Sequence, residues 1–369
     1  MARRVVSDLL LVGSLPADST EQAFRAGAEL FGDMIFALPD GETGPRAMWA
    51  AYEALRMVYA HPDLEMTGPA TPGSDISPHV YAIPAYRVRA GVTEVGWDSW
   101  PRIDDAIVSY RQFARLRQEG VIRPELRFQV GLPFPASALQ GVLKGGSAKD
   151  WRTVEHGWLD LAARELARLT AEIPAADLAI QWDVCWEVLD LEGVLAWAPG
   201  GAWERFTRPV ERLTPLIPED VLVGYHLCYG TFPAWPMFEA RDLSLLVRMA
   251  NYAAAHSGRQ VDWFHVPGPR DLRSEDDRYY RPLTGLRVGD ARVYLGIVLP
   301  VDGVEGLERR HSAASKYLAD FGVANYCGFG RQPGHDGMET LREHQRTVRA
   351  ISYAAEPRTS LHPSGPTGD

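Results

Sequence analysis

The stretch VGYHLCYGTF, Val223 to Phe232, ends an apolar run with a histidine and a cysteine two residues apart, His226 and Cys228. Side chains two apart on a strand share a face, so both can point to the same side. An imidazole nitrogen at about 2.0–2.1 Å and a thiolate at about 2.3 Å are donors that zinc takes. Cys327 closes another apolar segment, VANYCGFGR, and is a natural third donor. Two thiolates and an imidazole favour zinc over magnesium or calcium. A core strand carrying a buried cysteine beside a hydrogen-bonded histidine has the same spacing, so spacing alone leaves both readings open.

Other polar residues also close apolar segments. Ser14 ends DLLLVGSLP, Asp40 and Glu42 end DMIFALPDGE, and Gln181, Asp183 and Glu187 end LAIQWDVCWE. His265 ends VDWFHVPGP, and Asp302 follows VYLGIVLP. Together with LRFQVGLPFP these make eight short apolar segments bounded by Gly, Pro and Asp, with helical periodicity between them. That alternation is the pattern of repeated βα units. Its count predicts an α/β fold, a (β/α)8 TIM barrel, whose active site lies at the carboxyl ends of the strands. On such a barrel the polar strand ends converge on one rim.

Between the strands, Asp150 is placed to cap a helix with Trp151, Val154, Trp158, Leu161, Leu166 and Leu169 on its apolar face. A second helix runs through Ile103, Ile107, Tyr110 and Phe113. The Pro/Gly-rich segment at about residues 61–101, with Trp97 and Trp100, reads as a long loop insertion over the barrel mouth. We expect one domain over residues 1–355 and a disordered tail at 356–369, where EPRTSLHPSGPTGD offers little apolar surface to offset its ordering.

The 369 residues, 46% hydrophobic and 23% charged, suffice for a large core. A formal charge of -10 argues against nonspecific nucleic-acid binding, which needs a basic face. No apolar run reaches the length of a membrane span. The opening MARRVVSDLLLVGSLP lacks a small-residue cleavage site and reads as mature structure rather than a signal peptide. Three widely spaced cysteines, Cys185, Cys228 and Cys327, fit a reducing cytoplasm better than a disulfide framework.

The order of several short motifs carries more weight than any one of them. VGSLP is similar to I-G-S-[FL]-P, LPDGETGPRAMW to H-G-E-x-x-R-x-[DN]-M, and QVGLPFP to T-G-P-[VT]-T. IQWDVCWE is similar to Q-[IV]-D-E-P, YHLCYGTF to H-x-C-Y-[SG]-x-F, and NYCGFGRQ to P-D-C-G-L-K-[TS]-R. Over roughly Val6 to Arg331 the chain thus resembles the catalytic barrel of cobalamin-independent methionine synthase, without that family's separate N-terminal half. The resemblance implies that His226, Cys228 and Cys327 are zinc ligands. It implies further that Glu42 and Asp183 hold the amino group of a thiol amino acid such as homocysteine, and that the Gly13–Ser14 backbone holds its carboxylate. Zinc lowers a thiol's pKa so that it attacks an alkyl carbon as thiolate.

The departures from the family are specific. Where the family has a glutamate ligand, the nearest position here is His265, which either coordinates, giving His2Cys2, or is a hydrogen-bonded core histidine. The family's acid/base histidine has no counterpart in GIVLPVDGVEG; Asp302 and His335 are the groups that could move a proton instead, though Asp302 also suits a turn. The aromatic that stacks on folate has no counterpart in ASALQG, which argues against the usual polyglutamyl folate as donor. Trp97 and Trp100 could supply a substrate wall or simply pack the insertion, and Tyr279 and Tyr280 are weaker candidates. DGETGPR reads as a tight turn or as a charged rim built from Asp40, Glu42 and Arg46. Cys185 reads as a pocket-wall thiol or a further ligand.

The expected function is a zinc-dependent alkyl- or methyltransferase acting on a small-molecule thiol with an alkyl donor. A metal-dependent carbon–sulfur lyase or a decarboxylase of the uroporphyrinogen type on the same barrel is the alternative. A structural-zinc or ligand-binding barrel is the third.

Overall fold

All eight apolar segments form parallel strands. The structure is a computed structural model that describes residues 7–68, 84–195, 198–230, 238–269, 277–299, 302–329 and 337–355. The strands are β1 (Leu9–Leu10), β2 (Ala37–Pro39), β3 (Leu64–Gly68), β4 (Ala85–Val88), β5 (Arg127–Pro133), β6 (Leu178–Val184), β7 (Leu222–Leu227), β8 (Trp263–Pro267), β9 (Arg292–Val298) and β10 (Gly322–Asn325). Eight of them form one sheet in the order β1-β10-β9-β8-β7-β6-β5-β2, parallel at every pairing. At the seam, Leu9 N–H donates to Met34 O and Leu15 N–H to Gly41 O, with a parallel bridge between Ser14 and Gly41. The sheet is therefore a nearly closed (β/α)8 barrel.

β6 is buried at all seven positions, as expected of a parallel strand covered on both faces. Its one amide is used within the barrel. Gln181 Nε2 reaches Val12 O at 2.7 Å, and Gln129 Nε2 on β5 reaches both Leu11 O and Val12 O at 2.9 Å. These side chains pair carbonyls that the short β1 ladder leaves open, and they fix the backbone leading into Gly13.

The helices are α1 (Thr20–Phe31), α2 (Trp49–Val58), α3 (Pro101–Gln118), α4 (Pro135–Ala138), α5 (Gln140–Gly145), α6 (Ala148–Glu172), α7 (Trp186–Leu191), α8 (Ala202–Leu213), α9 (Ser244–His256), α10 (Gly303–Ser315) and α11 (Gly337–Ala355). α6 buries the face read from its periodicity, and α3 buries Ile103, Ile107 and Phe113 with Tyr110 half-buried. The cap of α6 differs from the sequence reading. Ser147 is the N-cap, and Asp150 is the third helical residue of a capping box, its carboxylate accepting from Ser147 N–H.

The insertion contains an antiparallel hairpin, β3 with β4. It docks on α5 at Gly145, where a Cβ would lie 2.6 Å from Tyr86 N. The segment leading to α3 docks on α6, where Gly157 leaves room for Val95 O and Trp97 Nε1–H donates to Val154 O at 3.3 Å. Trp100 stacks edge-on against Trp158. Both tryptophans pack the insertion to α6, the second of the two roles the sequence offered them, and Trp97 also lines a cavity with His61 and Arg164. Residues 69–83 of the insertion and the tail at 356–369 lie outside the described residues. Among the described residues no helix is long and apolar enough to cross a membrane.

Candidate metal centre

His226 ends β7, Cys228 follows it by two residues, and Cys327 follows β10. The fold brings them together: one donor atom from each lies within 4.8 Å of the others, and all three residues are buried. The sulfurs of Cys228 and Cys327 are 3.7 Å apart. Two thiolates bound at about 2.3 Å with a tetrahedral angle between them lie about 3.8 Å apart, whereas a disulfide holds its sulfurs at about 2.05 Å. The spacing fits a shared zinc ion.

Gly230 N–H donates to Cys228 Sγ at 3.3 Å, a contact that favours a thiolate. The Cys185 thiol and burial nevertheless push Cys228 well above its usual range, and the Cys228 thiol and burial do the same to Cys327. Two buried thiols side by side hold their protons until a cation compensates the charge, and a dication does so outright.

His265 stands behind His226. Its Nε2 lies 2.9 Å from Asn325 O and must donate there, so its lone pair is on Nδ1. Burial holds its pKa down to about 3, so the ring is neutral. His226 Nδ1, 2.7 Å from His265 Nδ1, is then the donor of that pair, and the His226 lone pair is on Nε2. Both nitrogens of His265 are engaged, and it lies outside the three-residue donor group. The arrangement is that of a residue fixing a ligand's tautomer, which departs from the reading of His265 as a ligand. Gly296 permits it, because a Cβ there would come within 2.9 Å of His265 Nε2.

The substrate-binding candidates gather beside this centre. Ser14 O accepts from Phe329 N–H at 2.8 Å, and its hydroxyl fits only because residue 328 is glycine, whose Cβ would fall 2.0 Å away. Glu42 sits at φ +48°, a left-handed conformation uncommon outside glycine and concentrated at functional sites. That turn sets its carboxylate against Gly13 and 2.6 Å from Arg102. Asp183 Oδ1 accepts from Gln181 Nε2 at 2.8 Å, and a Cβ on Gly131 would lie 2.6 Å from Asp183 Oδ2. Asp183 also pairs in register with His226. Gly13, Ser14, Glu42 and Asp183 thus approach the donor group from three strand ends, those of β1, β2 and β6.

Asp40 sits below its usual range: burial pushes it up, but the charges of Arg46 and Arg102 outweigh that, and Ser109 Oγ donates to it. The Asp40–Arg46 ion pair makes DGETGPR a charged turn as well as a tight one.

Asp302 has a structural task. Arg310 clasps it with two hydrogen bonds of 2.6 Å and also donates to Ile297 O, joining α10 to β9. A carboxylate held bidentately by a fully buried guanidinium has fewer acceptor sites left for proton transfer, which favours the structural role over the catalytic one. His335 lies outside the described residues. Tyr279 and Tyr280 are core residues, with Tyr279 OH donating to Pro267 O.

Arg102 was not singled out from the sequence. Its Nε donates to Gly131 O at 2.8 Å and its Nη2 to Glu42, so one buried cation ties the Glu42 turn to the Asp183 neighbourhood. The available signal was its position in the first turn of α3, where a cation opposes the helix dipole and needs a compensating anion. Gln129 was also missed, though an amide inside an apolar strand requires partners.

No protein-family sequence model matches the chain, and no curated protein sequence matches it. Among solved structures it is similar to a B12-independent methionine synthase from Shewanella sp. W3-18-1 in complex with selenomethionine. That likeness has a TM-score of 0.56 and 13% identity, over 91% of this chain and 88% of the other. It is also similar to a Listeria monocytogenes protein provisionally described as a vitamin B12-independent methionine synthase, with a TM-score of 0.51 and 14% identity over 90% and 86% of the two chains. At such identities the likeness establishes the fold, a barrel like that of the methionine synthase catalytic domain.

Proposed function

We propose that this protein is a zinc-dependent enzyme that alkylates or methylates a small-molecule thiol. The observation that carries the reading is the 3.7 Å Cys228–Cys327 sulfur pair beside His226, at the mouth of a methionine-synthase-like barrel. Zinc bound there would supply the positive charge that keeps an incoming thiol ionised near neutral pH.

The chain's own residues do the rest. His265 and Asn325 hold His226 in the tautomer that presents Nε2. Glu42 and Asp183 bring carboxylates to the substrate's polar end, suited to an ammonium group, and the Gly13–Ser14 backbone lies against Glu42 on one side and Gly328 on the other. Arg102 limits the negative charge of that pocket through its pair with Glu42. In this reading the alkyl donor is one other than polyglutamyl folate, and three cysteines without a disulfide support a reducing compartment such as the cytoplasm.

A second reading, a metal-dependent carbon–sulfur lyase or decarboxylase, is favoured by one observation: Asp302 is committed to Arg310, so the loop after β9 offers no proton-transfer group among the described residues.

The test is metal analysis followed by a selenol probe, whose incoming atom is distinguishable from protein sulfur. We expect about one zinc per chain, loss of it in Cys228→Ser and Cys327→Ser, and a zinc–selenium contact when selenohomocysteine is added. Full zinc in both variants removes the site, and zinc without a selenium contact for any selenol tried turns the reading to the lyase or a structural metal.

A further inference from the structure

Cys185 has no part in the site as described so far. It lies at the carboxyl end of β6, immediately before α7. β6 and β7 stay in register through Asp183–His226 and Val184–Leu227, and Cys228 N–H donates to Val184 O at 3.0 Å. The next residue along β6 therefore emerges beside Cys228. Its side chain packs against the cluster of Cys228, Cys327, Leu299 and Tyr326, just outside the three-residue donor group. Cys228 and Cys327 are buried whereas Cys185 is half-buried, so all three cysteines of the chain meet with Cys185 on the more open side.

The backbone at this point is tied down. Ser137 Oγ accepts from Cys185 N–H at 3.3 Å and from Trp186 N–H at 3.1 Å. The Ser137 hydroxyl in turn donates to Glu187 at 2.8 Å, and Glu187 also accepts from Ala136 N–H and Ser137 N–H. A buried carboxylate and hydroxyl thus fix the residue that carries the third sulfur, as supporting contacts do for metal ligands.

We propose that Cys185 is a ligand of the same metal ion, so that the centre consists of three cysteine sulfurs and the imidazole of His226. The inference rests on the zinc reading above and extends it to the donor set. Zinc takes four ligands in closed sites, and Cys3His is one of its common sets. His226, Cys228 and Cys327 supply three, and His265 has both nitrogens engaged. Cys185 is the remaining soft donor beside the centre, and its partial exposure makes it the ligand that an incoming thiol would displace, so the four-ligand resting set still leaves a substrate position.

Zinc-edge X-ray absorption of the zinc-loaded full chain tests this without a variant, by the ratio of sulfur to nitrogen neighbours. The expected count is three sulfurs and one nitrogen. Cys185→Ala and Cys185→Ser should show two sulfurs, and chelator competition should find their zinc affinity at least about tenfold lower. Two sulfurs and two nitrogens in the wild type, unchanged in Cys185→Ala, would assign the fourth position to His265 and overturn the proposal while leaving a zinc site. Absence of stoichiometric zinc from the wild type removes both this proposal and the function it extends.

Discussion

His226 and His265 meet nitrogen to nitrogen, Nδ1 to Nδ1 at 2.7 Å, and the carbonyl of Asn325 determines which ring carries the shared proton. Because Asn325 O accepts from His265 Nε2, the proton between the rings belongs to His226, and His226 Nε2 is left basic. The contact thus sets the tautomer and orientation in which His226 faces Cys228 and Cys327 in the candidate donor group.

Replacing His265 should therefore weaken the metal without removing a donor. In His265→Ala we expect zinc affinity to fall by about 10–100-fold, the scale typical of a lost second partner. Chelator competition measures the affinity, and absorption spectroscopy should still count one nitrogen. A drop in nitrogen count relative to wild type would make His265 a direct ligand.

Gly131 tests the role of Asp183 from the neighbouring strand. A methyl group there would sit 2.6 Å from Asp183 Oδ2 and 3.5 Å from Arg102 Nη2. Gly131→Ala should push the carboxylate aside while leaving the donor group intact. We expect unchanged zinc content and thiol-substrate affinity weakened on the order of tenfold, measured by calorimetric titration; unaltered affinity would take Asp183 out of substrate binding.

Much of the barrel could be read locally, because strand period and Gly/Pro punctuation are properties of neighbouring residues. His226 and Cys228 share a face for the same reason, and the motif order joined Cys327 to them across 99 positions. What could not be read was pairing. Arg102 meets Glu42 from 60 residues away, on a helix whose first turn looks solvent-facing in sequence. Asp302 follows its strand as read, but its pairing with Arg310 on the next helix was not legible. His265 occupied a ligand-like position, and only the approach of Asn325 distinguishes a metal donor from a donor's support. Trp97 went to α6 because Gly157 opens a gap there, which periodicity does not reveal.

Asp302 should behave as a structural residue. Asp302→Ala leaves Arg310 fully buried without its carboxylate, and breaking a buried pair from one side costs about 3–5 kcal/mol. The urea midpoint should fall accordingly, while the folded fraction keeps its full complement of zinc. Wild-type stability together with lost activity would instead return Asp302 to the chemistry.

Glu53 on α2 supplies a pH signature independent of the metal. Burial pushes its carboxyl up to about 7 from the usual 4.5, although Arg102 and Arg56 pull the other way. A carboxyl with a raised folded pKa binds its proton more tightly when folded than unfolded. Its contribution is fully present below about 4.5 and is lost as pH rises to about 7, then levels. Glu53→Gln keeps the shape and removes the titration. The variant should match the wild type near pH 4.5 and exceed it by on the order of 2–3 kcal/mol at pH 8, read as a widening gap between urea midpoints across that window. Parallel midpoints at every pH would show that Glu53 ionises freely in the folded protein.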